Sequence, residues 1–154
     1  MTDILDEIIA HKRLEIEQQK AAISQELLIN NCNEPMPRRS MRASLSASPS
    51  GIIAEFKRRS PSKGWIKENA QADIISPAYE MAGASVLSIL TDENFFGGNL
   101  KDIRAARPQV SLPILRKDFI IDEYQLYQAC IVGADAVLLI AAALRKEQCS
   151  MLAA

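Results

Sequence analysis

Two residues of opposite charge, Glu55 and Lys57, lie two positions apart in the segment AEFKRRSPSKGW. Because alternate residues of a β-strand point to the same face, both side chains are expected on one side of a strand. A carboxylate and an ammonium group inside a protein are costly unless they pair or bind a ligand. The polar residues Ser60, Ser62 and Lys63 follow in the next loop and suit a negatively charged ligand. The segment therefore predicts a binding site for an anionic substrate.

The segment LRKDFIID ends a second predicted strand with Lys117 and continues into a loop that carries Phe119. A lysine at a strand end, in a partly dry pocket, is suited to general acid catalysis. The residues alone leave two other roles open for Lys117. It is able to form a salt bridge with Asp118 or Glu93, or to act as a nucleophile that forms a Schiff base with a carbonyl substrate. For Lys57, the corresponding alternative is a solvated side chain without function.

A third segment, TDENFFGGN, combines two aromatic residues with two glycines. Phe95 and Phe96 are able to stack on the aromatic ring of a ligand or to pack in the core. Gly97 and Gly98 permit a tight turn or a close approach of the backbone to another group.

Short apolar runs alternate with helical patterns from Gly51 onward. The predicted strands cover 52–56, 85–90, 113–117 and 135–141, and the predicted helices cover 71–82, 99–107 and 122–132. Asn99 and Asp122 are suitable helix caps, and the phrases MAGAS and IVGAD each place a glycine where a helix commonly ends. This alternation predicts right-handed parallel βαβ units.

Parallel units build either an open doubly wound sheet or a barrel, and the sequence favours the barrel. The first strand is not followed by a GxGxxG turn, and polar residues recur at the C-terminal ends of the strands, where barrel enzymes keep their active sites. A closed eight-stranded barrel takes about 250 residues, whereas this chain has 154. We predict an α/β fold of the (β/α)8 TIM-barrel type with only about the first four β/α units, preceded by an extra N-terminal helix.

The first 50 residues differ in character from the rest of the chain. Residues 3–28 predict one amphipathic helix that faces a larger body, with Thr2 or Asp3 as its cap. The next stretch is rich in Pro, Ser, Asn and Arg and predicts a connector with one helical turn near residues 41–45. We assign residues 1–50 to an N-terminal helical extension and connector, and residues 51–154 to a single domain that is the N-terminal half of a barrel.

Composition excludes several classes of function. With 18 basic and 19 acidic residues and a net charge of −1, neither nucleic acid nor a membrane is an expected partner. The N-terminus does not resemble a signal peptide, and no apolar run approaches the roughly 20 residues of a membrane span, so we expect a cytoplasmic protein. The basic run KRRSPSK is expected to be a solvated or phosphate-facing loop rather than a nucleic-acid patch.

Neither the cysteines nor the histidine predicts a metal or redox site. Cys32, Cys130 and Cys149 are odd in number and far apart, and they lack a CxxC spacing or a nearby histidine. We interpret them as reduced thiols of the core. His11, the only histidine, is expected on the surface of the N-terminal helix, which leaves acid–base chemistry to lysines and carboxylates.

The ordered set EFKRRSPSKG, SILTDENFFGG, LPILRKDFIIDEYQLYQA and GADAVLLIAAAL resembles the N-terminal part of the indole-3-glycerol phosphate synthase family of tryptophan biosynthesis. The resemblance runs from about Ile4 to the last residue; one departure is Asn99, where the family commonly has a serine. It implies a lyase that converts 1-(2-carboxyphenylamino)-1-deoxyribulose 5-phosphate to indole-3-glycerol phosphate with loss of carbon dioxide and water. The substrate is a small phosphorylated molecule, and neither a metal nor an organic cofactor takes part.

The resemblance also implies roles for individual residues. Lys117 would be the general acid that protonates the ketose carbonyl oxygen, and Lys57 would hold the substrate carboxylate and assist the later dehydration. Glu55 would orient and balance the two lysines, and Ser60 would donate a further hydrogen bond. The apolar slot for the anthranilate ring would be formed by Phe96, Phe119 and Leu138.

The family takes its remaining catalytic residues and its phosphate-binding loops from later strands. We therefore expect this chain to contain about half of the active site and to expose the edges of its first and fourth strands, which favours self-association. The alternative function is a catalytically incomplete fragment that only binds a ligand or a partner chain.

Overall fold

The computed structural model describes residues 3–32 and 37–154. Thr2, one of the two predicted caps, and part of the predicted connector lie outside these ranges. The helices are α1 (Ile4–Ala22), α2 (Gln25–Cys32), α3 (Met41–Ala47), α4 (Ala72–Met81), α5 (Glu93–Phe96), α6 (Leu100–Ala106), α7 (Tyr124–Val132) and α8 (Lys146–Ala153). The strands are β1 (Ile53–Phe56), β2 (Arg59–Ser60), β3 (Gly64–Trp65), β4 (Val86–Leu90), β5 (Ile114–Lys117) and β6 (Ala136–Val137).

A four-stranded parallel sheet in the order β1-β4-β5-β6 forms the centre of the molecule. Helices α4, α6 and α7 connect its strands and cover one face, as the predicted βαβ units require. The core lies between this face and the helices, and it includes Leu87, Ile89, Ile103 and Ile114, which are almost completely buried. The sheet does not close into a barrel within the described ranges. The prediction of a partial set of β/α units is therefore confirmed.

From Gly51 onward, the predicted strands and helices agree with the structure to within two residues at each end, with one exception. The fourth strand was expected over 135–141, but β6 is limited to Ala136–Val137 and is followed by a 3-10 turn, Ala141–Ala143. Among the described strands, β6 pairs with β5 alone. Hydrogen bonds from one neighbour only therefore support it, and the strand is short. The sequence pattern also missed the β2–β3 hairpin and α5, because elements of two to four residues carry no measurable periodicity.

The prediction of one N-terminal helix over 3–28 is wrong, because two helices, α1 and α2, cover this region. Asp3 caps α1 as predicted, since its side chain accepts a hydrogen bond from the Leu5 amide. The backbone of Ile23 is extended and ends α1, and the Ser24 hydroxyl accepts from the Leu27 amide in the first turn of α2. The Tyr124 hydroxyl contacts the carbonyl oxygen of Ile23 at 3.0 Å, which holds this break against α7.

The predicted helix ends are confirmed in most cases. Asn99 caps α6 through a capping box with Asp102, as predicted. The N-cap of α7 is Glu123 rather than the predicted Asp122, although the Asp122 carboxylate accepts from the amide of Tyr124. Gly83 and Gly133, from the two related phrases, have left-handed φ values of 92° and 87°. These glycines allow the chain to turn from a helix into the next strand within a few residues.

The interpretation of the cysteines as reduced thiols is wrong for two of the three. Helix α2 packs along α7, and this contact brings together Cys32 and Cys130, which form a disulfide although 98 positions separate them in the sequence. Cys149 is free and partly buried. The pairing follows from the packing of two helices, which no local sequence pattern indicates.

A buried cluster of charges connects α1 to the C-terminal ends of β4 and β5. The Lys12 ammonium lies 2.9 Å from Asp92 and 3.1 Å from Asp118, and the Arg116 guanidinium lies 2.9 Å from the other Asp118 oxygen. Burial alone would raise the pKa of Asp118, but the charges of Arg116 and Lys12 and a hydrogen bond from Thr91 lower it to about 2. Asp118 therefore remains ionised although it is buried.

The Gly97–Gly98 turn packs directly on the end of β4. Gly97 has a left-handed φ of 62° and ends α5. Gly98 lies so close to the strand that an added Cβ would overlap the main-chain carbonyl of Leu90 and approach the Thr91 nitrogen at 2.9 Å. The two glycines thus provide both features predicted for them, a tight turn and a close approach.

We expect Gly98→Ala to lower the free energy of unfolding by about 3 kcal/mol, because the atoms that would have to move belong to the backbone of a buried strand. Urea denaturation followed by circular dichroism measures this change. Gly83→Ala is the control: a Cβ there meets no atom within 4 Å, so only the left-handed backbone is strained, at about 1 kcal/mol. A Gly98→Ala variant as stable as Gly83→Ala would contradict the close packing.

We also expect protonation of Asp118 to account for part of the loss of stability at low pH. Its pKa falls from an ordinary 3.8 to about 2 in the folded protein, so its stabilisation is complete above about pH 5 and is lost as the pH falls towards 2. At about 1.4 kcal/mol for each pKa unit, this contribution is on the order of 2 kcal/mol. Asp118→Asn should therefore be less stable at neutral pH and should lose less stability between about pH 4.5 and 2.5.

Urea unfolding at several pH values measures this slope, and Glu68→Gln is the matched control because Glu68 is exposed. The control should keep the pH dependence of the unsubstituted chain. An Asp118→Asn variant with the same acid slope as the unsubstituted chain would contradict the prediction.

Candidate active site

The carboxylate of Glu55 lies between the two predicted catalytic lysines. One Glu55 oxygen is 3.1 Å from the Lys57 ammonium and the other is 3.4 Å from the Lys117 ammonium. The Ser88 hydroxyl lies 3.5 Å from the second oxygen. All three charged side chains are about one-third exposed. The structure thus brings together the three residues predicted to be catalytic, and neither predicted salt-bridge alternative for Lys117 is present.

The parallel register of the sheet explains this convergence. Glu55 of β1 is aligned with Ser88 of β4, and Ser88 is aligned with Leu115 of β5. Lys117 lies two residues beyond Leu115 and therefore points to the same face, which is opposite to the face covered by the helices. Strands that run in the same direction bring their C-terminal residues to one edge of the sheet, so side chains from distant segments meet there.

The electrostatics of the group favour an anionic ligand. Burial opposes the ionised form of Glu55, but a hydrogen bond from Lys57 and the positive charge of Lys117 outweigh it and lower the pKa of this carboxyl group. Glu55 is therefore ionised at neutral pH. Two ammonium groups then share one carboxylate, which leaves one positive charge at the edge of the sheet to attract a carboxylate or a phosphate.

A cavity of about 550 Å³ adjoins this group. Both apolar and polar side chains line this cavity, and they include the predicted site residues Lys57, Ser60, Phe96 and Phe119. The rings of Phe96 and Phe119 face each other with their centroids 6.0 Å apart. Lys117 does not line the cavity and is connected to it through Glu55 and Lys57. A smaller cavity of about 270 Å³ between α1 and α8 contains none of the predicted site residues.

The two aromatic residues of the TDENFFGGN segment have different surroundings. Phe95 packs edge-on against the ring of His11, at 5.7 Å between centroids. His11 is thus a partly exposed residue of α1 with an aromatic contact. Phe96 instead faces Phe119 and the cavity. Because adjacent residues of a short helix point in different directions, only Phe96 is available to a ligand in the cavity.

The loop after β1 is held by Arg58 rather than left free. The Arg58 guanidinium forms two short hydrogen bonds to the Asp102 carboxylate, of 2.6 and 2.7 Å, and also donates to the carbonyl oxygens of Ala70 and Gly97. The expectation of a solvated or phosphate-facing loop is therefore wrong for this residue. The side chain of Ser60, which follows in the β2–β3 hairpin, is buried and accepts from the Lys63 amide.

Leu138 is the one predicted site residue that does not join the others. It directly follows β6, is partly buried, and does not line the cavity that contains Phe96 and Phe119. β6 is the fourth strand across the sheet from β1, and Leu138 therefore belongs to a different part of the edge.

Sequence reasoning missed the contribution of helix α1 to the cavity. Ile4, Leu5 and Ile8 line it together with Ser60, and Lys12 lies one turn beyond Ile8 in the same helix. The apolar spacing of these three residues indicated a helix that faces a larger body. It contained no signal that this body would include the cavity beside Glu55 and Lys57, because the docking position of a helix depends on long-range contacts.

Residues 3–32 and 37–154 contain neither a cluster of metal-binding side chains nor a helix that could span a membrane. No group of three or more His, Cys, Asp or Glu side chains is arranged to hold a metal ion. No helix in these ranges has the length and apolar character needed to cross a membrane.

Comparison with known proteins gives a consistent family. Residues 5–154 match the indole-3-glycerol phosphate synthase family. The indole-3-glycerol phosphate synthase of Bacteroides thetaiotaomicron is 69% identical over 153 residues, which cover 99% of this chain and 59% of that protein. The enzyme of the same name from Neisseria meningitidis serogroup B is 51% identical over 152 residues, covering 96% and 58%. The one from Syntrophobacter fumaroxidans is 44% identical over 151 residues, covering 96% and 57%.

The chain thus spans about three-fifths of the length of the curated relatives that it matches. The match covers nearly every residue of the chain, and the parallel β/α units agree with the barrel of that family. The chain belongs to the indole-3-glycerol phosphate synthase family.

Proposed function

We propose that this chain provides the general-acid side of an indole-3-glycerol phosphate synthase active site. The observation that carries the proposal is the arrangement of Glu55 between Lys57 and Lys117, beside a cavity with two facing aromatic rings. The substrate, 1-(2-carboxyphenylamino)-1-deoxyribulose 5-phosphate, has an aromatic ring, a carboxylate, a ketone and a phosphate. The arrangement offers a complementary group to the first three of these.

Binding of the aromatic ring fits the apolar part of the cavity. The Phe96 and Phe119 rings present two apolar surfaces, and Ile8 of α1 adds a third. The substrate carboxylate would pair with the Lys57 ammonium, which reaches the same cavity, and the Ser60 hydroxyl would donate a hydrogen bond. A largely apolar wall favours the decarboxylation step, because it removes water from a carboxylate that must become neutral carbon dioxide.

Ring closure requires a proton at the ketose carbonyl oxygen, and Lys117 is the proposed donor. As the aromatic carbon that carries the carboxylate bonds to the carbonyl carbon, negative charge develops on the carbonyl oxygen and the Lys117 ammonium supplies the proton. Loss of carbon dioxide then returns an electron pair to the ring. The new hydroxyl takes a proton from the Lys57 ammonium and leaves as water, and the adjacent methylene carbon loses a proton, so that the double bond of the indole forms. Glu55 keeps both ammonium groups oriented throughout these steps.

Leu138 is proposed as a further apolar contact of the substrate, on the β6 side of the site. It lies directly beyond the C-terminal end of a strand, which is the position from which barrel residues reach a ligand. No metal and no organic cofactor is required in this scheme, because lysines supply the acid and the positive charge.

A second candidate function is a fragment that binds the substrate or a partner chain without turnover. The chain spans about three-fifths of its relatives' length, and strands β1 and β6 each pair on one side only within the described sheet. On β1, Ile53 is 44% exposed. An exposed strand edge with apolar side chains is able to pair with another chain, including a second copy of this one.

For the catalytic proposal, we expect Lys117→Ala to lower the rate of indole-3-glycerol phosphate formation by about 100- to 10,000-fold, as expected for loss of a general acid. The assay follows indole fluorescence with the 154-residue chain and the synthetic substrate. Lys101→Ala is the control, because Lys101 is exposed on α6. Equal activity of Lys117→Ala and the unsubstituted chain would exclude Lys117 as the acid.

Absence of activity in every variant, together with substrate binding that Lys57→Ala abolishes, would favour the binding fragment. Borohydride reduction with substrate distinguishes the remaining enzymatic alternative. A substrate adduct trapped on Lys117 would replace the general-acid role by a Schiff-base mechanism.

For the exposed edge, we expect the isolated chain to associate in sedimentation velocity experiments at micromolar concentration. Ile53→Lys should reduce this association, since a charged residue on an edge strand opposes pairing. Ile74→Lys is the matched control: Ile74 is 60% exposed, and it lies on α4 rather than on a strand edge. A monodisperse monomer at all concentrations would contradict edge pairing.

A further inference from the structure

The ammonium group of Lys12 is buried at a junction between the N-terminal helix and two loops of the candidate active site. Only 1% of the side chain is exposed. Its nitrogen lies 2.9 Å from Asp92, 3.1 Å from Asp118 and 2.9 Å from Glu15. Asp92 follows β4 and Asp118 follows β5, so one side chain from α1 contacts the C-terminal ends of two adjacent strands.

Asp92 determines the position of the short helix that carries Phe96. One Asp92 oxygen accepts a hydrogen bond from the Phe95 amide and caps α5, and the Asp92 main-chain carbonyl accepts from Gly98. The other oxygen lies against Lys12 and accepts no hydrogen bond from any described residue. Because Asp92 is completely buried, its second oxygen depends on Lys12 for charge compensation.

Asp118 determines the position of Phe119 and borders Lys117. The oxygen that faces Lys12 also accepts from the Phe119 amide at 2.8 Å. The other oxygen accepts from Thr91 and from Arg116, which fixes the carboxylate on its second side. Asp118 thus controls the backbone between the proposed acid, Lys117, and the aromatic ring that follows it.

The charges of the cluster balance only when Lys12 is present. Lys12 and Arg116 supply two positive charges against the buried carboxylates of Asp92 and Asp118, and Glu15 lies at the partly exposed rim. Burial lowers the pKa of Lys12, but Asp118, Asp92 and Glu15 outweigh this effect and raise the pKa above its ordinary value. Lys12 is therefore a cation at neutral pH although it is buried.

The same lysine sets the position of α1 over the cavity. Ile8, which lines the cavity, precedes Lys12 by four residues and so lies on the same side of the helix, one turn away. When Lys12 enters the cluster, Ile8 is placed against the cavity that contains Phe96 and Phe119.

We propose that Lys12 is a positioning residue that joins the loops after β4 and β5, so that Phe96 and Phe119 face each other across the ligand cavity and the backbone beside Lys117 is fixed. The description of this cavity as a slot for an aromatic substrate rests on the proposed synthase function. Lys12 itself contacts neither the cavity nor the reacting atoms. It acts through Asp92 and Asp118.

Nuclear Overhauser effects between the rings of Phe96 and Phe119 test the proposal directly on the 154-residue chain. We expect Lys12→Met, which keeps most of the side-chain volume but removes the charge, to lose this effect. The matched control is Ile16→Ala, which weakens the packing of the same helix against α2 and α7 without touching the ion cluster. Ile16→Ala should keep the ring contact at a temperature where both variants are folded.

Binding of indole-3-glycerol phosphate, followed by fluorescence, provides the functional measurement. We expect its dissociation constant to rise at least about tenfold in Lys12→Met and to change less than about threefold in Ile16→Ala. Retention of the ring contact in Lys12→Met, or equal losses in both variants, would overturn the proposal, because Lys12 would then only stabilise the fold.

A second variant decides the question if Lys12→Met does not fold. Asp92→Asn keeps the oxygen that caps α5 and removes only the charge that Lys12 compensates, and it should also lose the ring contact. An unchanged ring contact in Asp92→Asn would overturn the proposal. If the unsubstituted chain does not bind indole-3-glycerol phosphate, the proposed function fails for this chain, while the ring contacts still decide whether Lys12 positions the two loops.

Discussion

The structure depends on the compensation of charges that are buried where α1 meets the ends of β4 and β5. Asp92 and Asp118 lie out of contact with water, and an unpaired carboxylate in such a place would destabilise the fold by several kcal/mol. Lys12 comes from the N-terminal helix and Arg116 from β5, and together they balance the two acids. A helix that precedes the first strand is thereby required to complete the edge of the sheet at which the candidate site lies.

The parallel arrangement of the strands places side chains with related chemistry on one face of the sheet. Glu55 from β1 and Lys117 from β5 meet there, although 62 positions separate them. On the opposite face, Arg116 and Asp118 join the buried cluster, because consecutive residues of a strand point in opposite directions. One strand thus contributes alternately to the candidate site and to its support.

Much of the fold and part of the site could be predicted from local sequence patterns. The apolar runs, the helix caps and the glycines at helix ends identified most elements, because these signals depend on neighbouring residues. Lys57 and Glu55 were recognisable as a pair from their spacing along one strand. The β2–β3 hairpin, the short α5 and the break between α1 and α2 were missed, since short elements and a single side-chain cap carry little periodic signal.

The sequence by itself determined the order of strands and helices, the chemical character of the strand ends and the family. Only the tertiary structure decided that Lys12 is buried, that Cys32 pairs with Cys130, that Phe96 rather than Phe95 faces the cavity, and that Leu138 lies apart from it. These features depend on contacts between residues far apart in the chain. Local propensities constrain a residue's backbone, whereas its neighbours in space are set by the packing of whole elements.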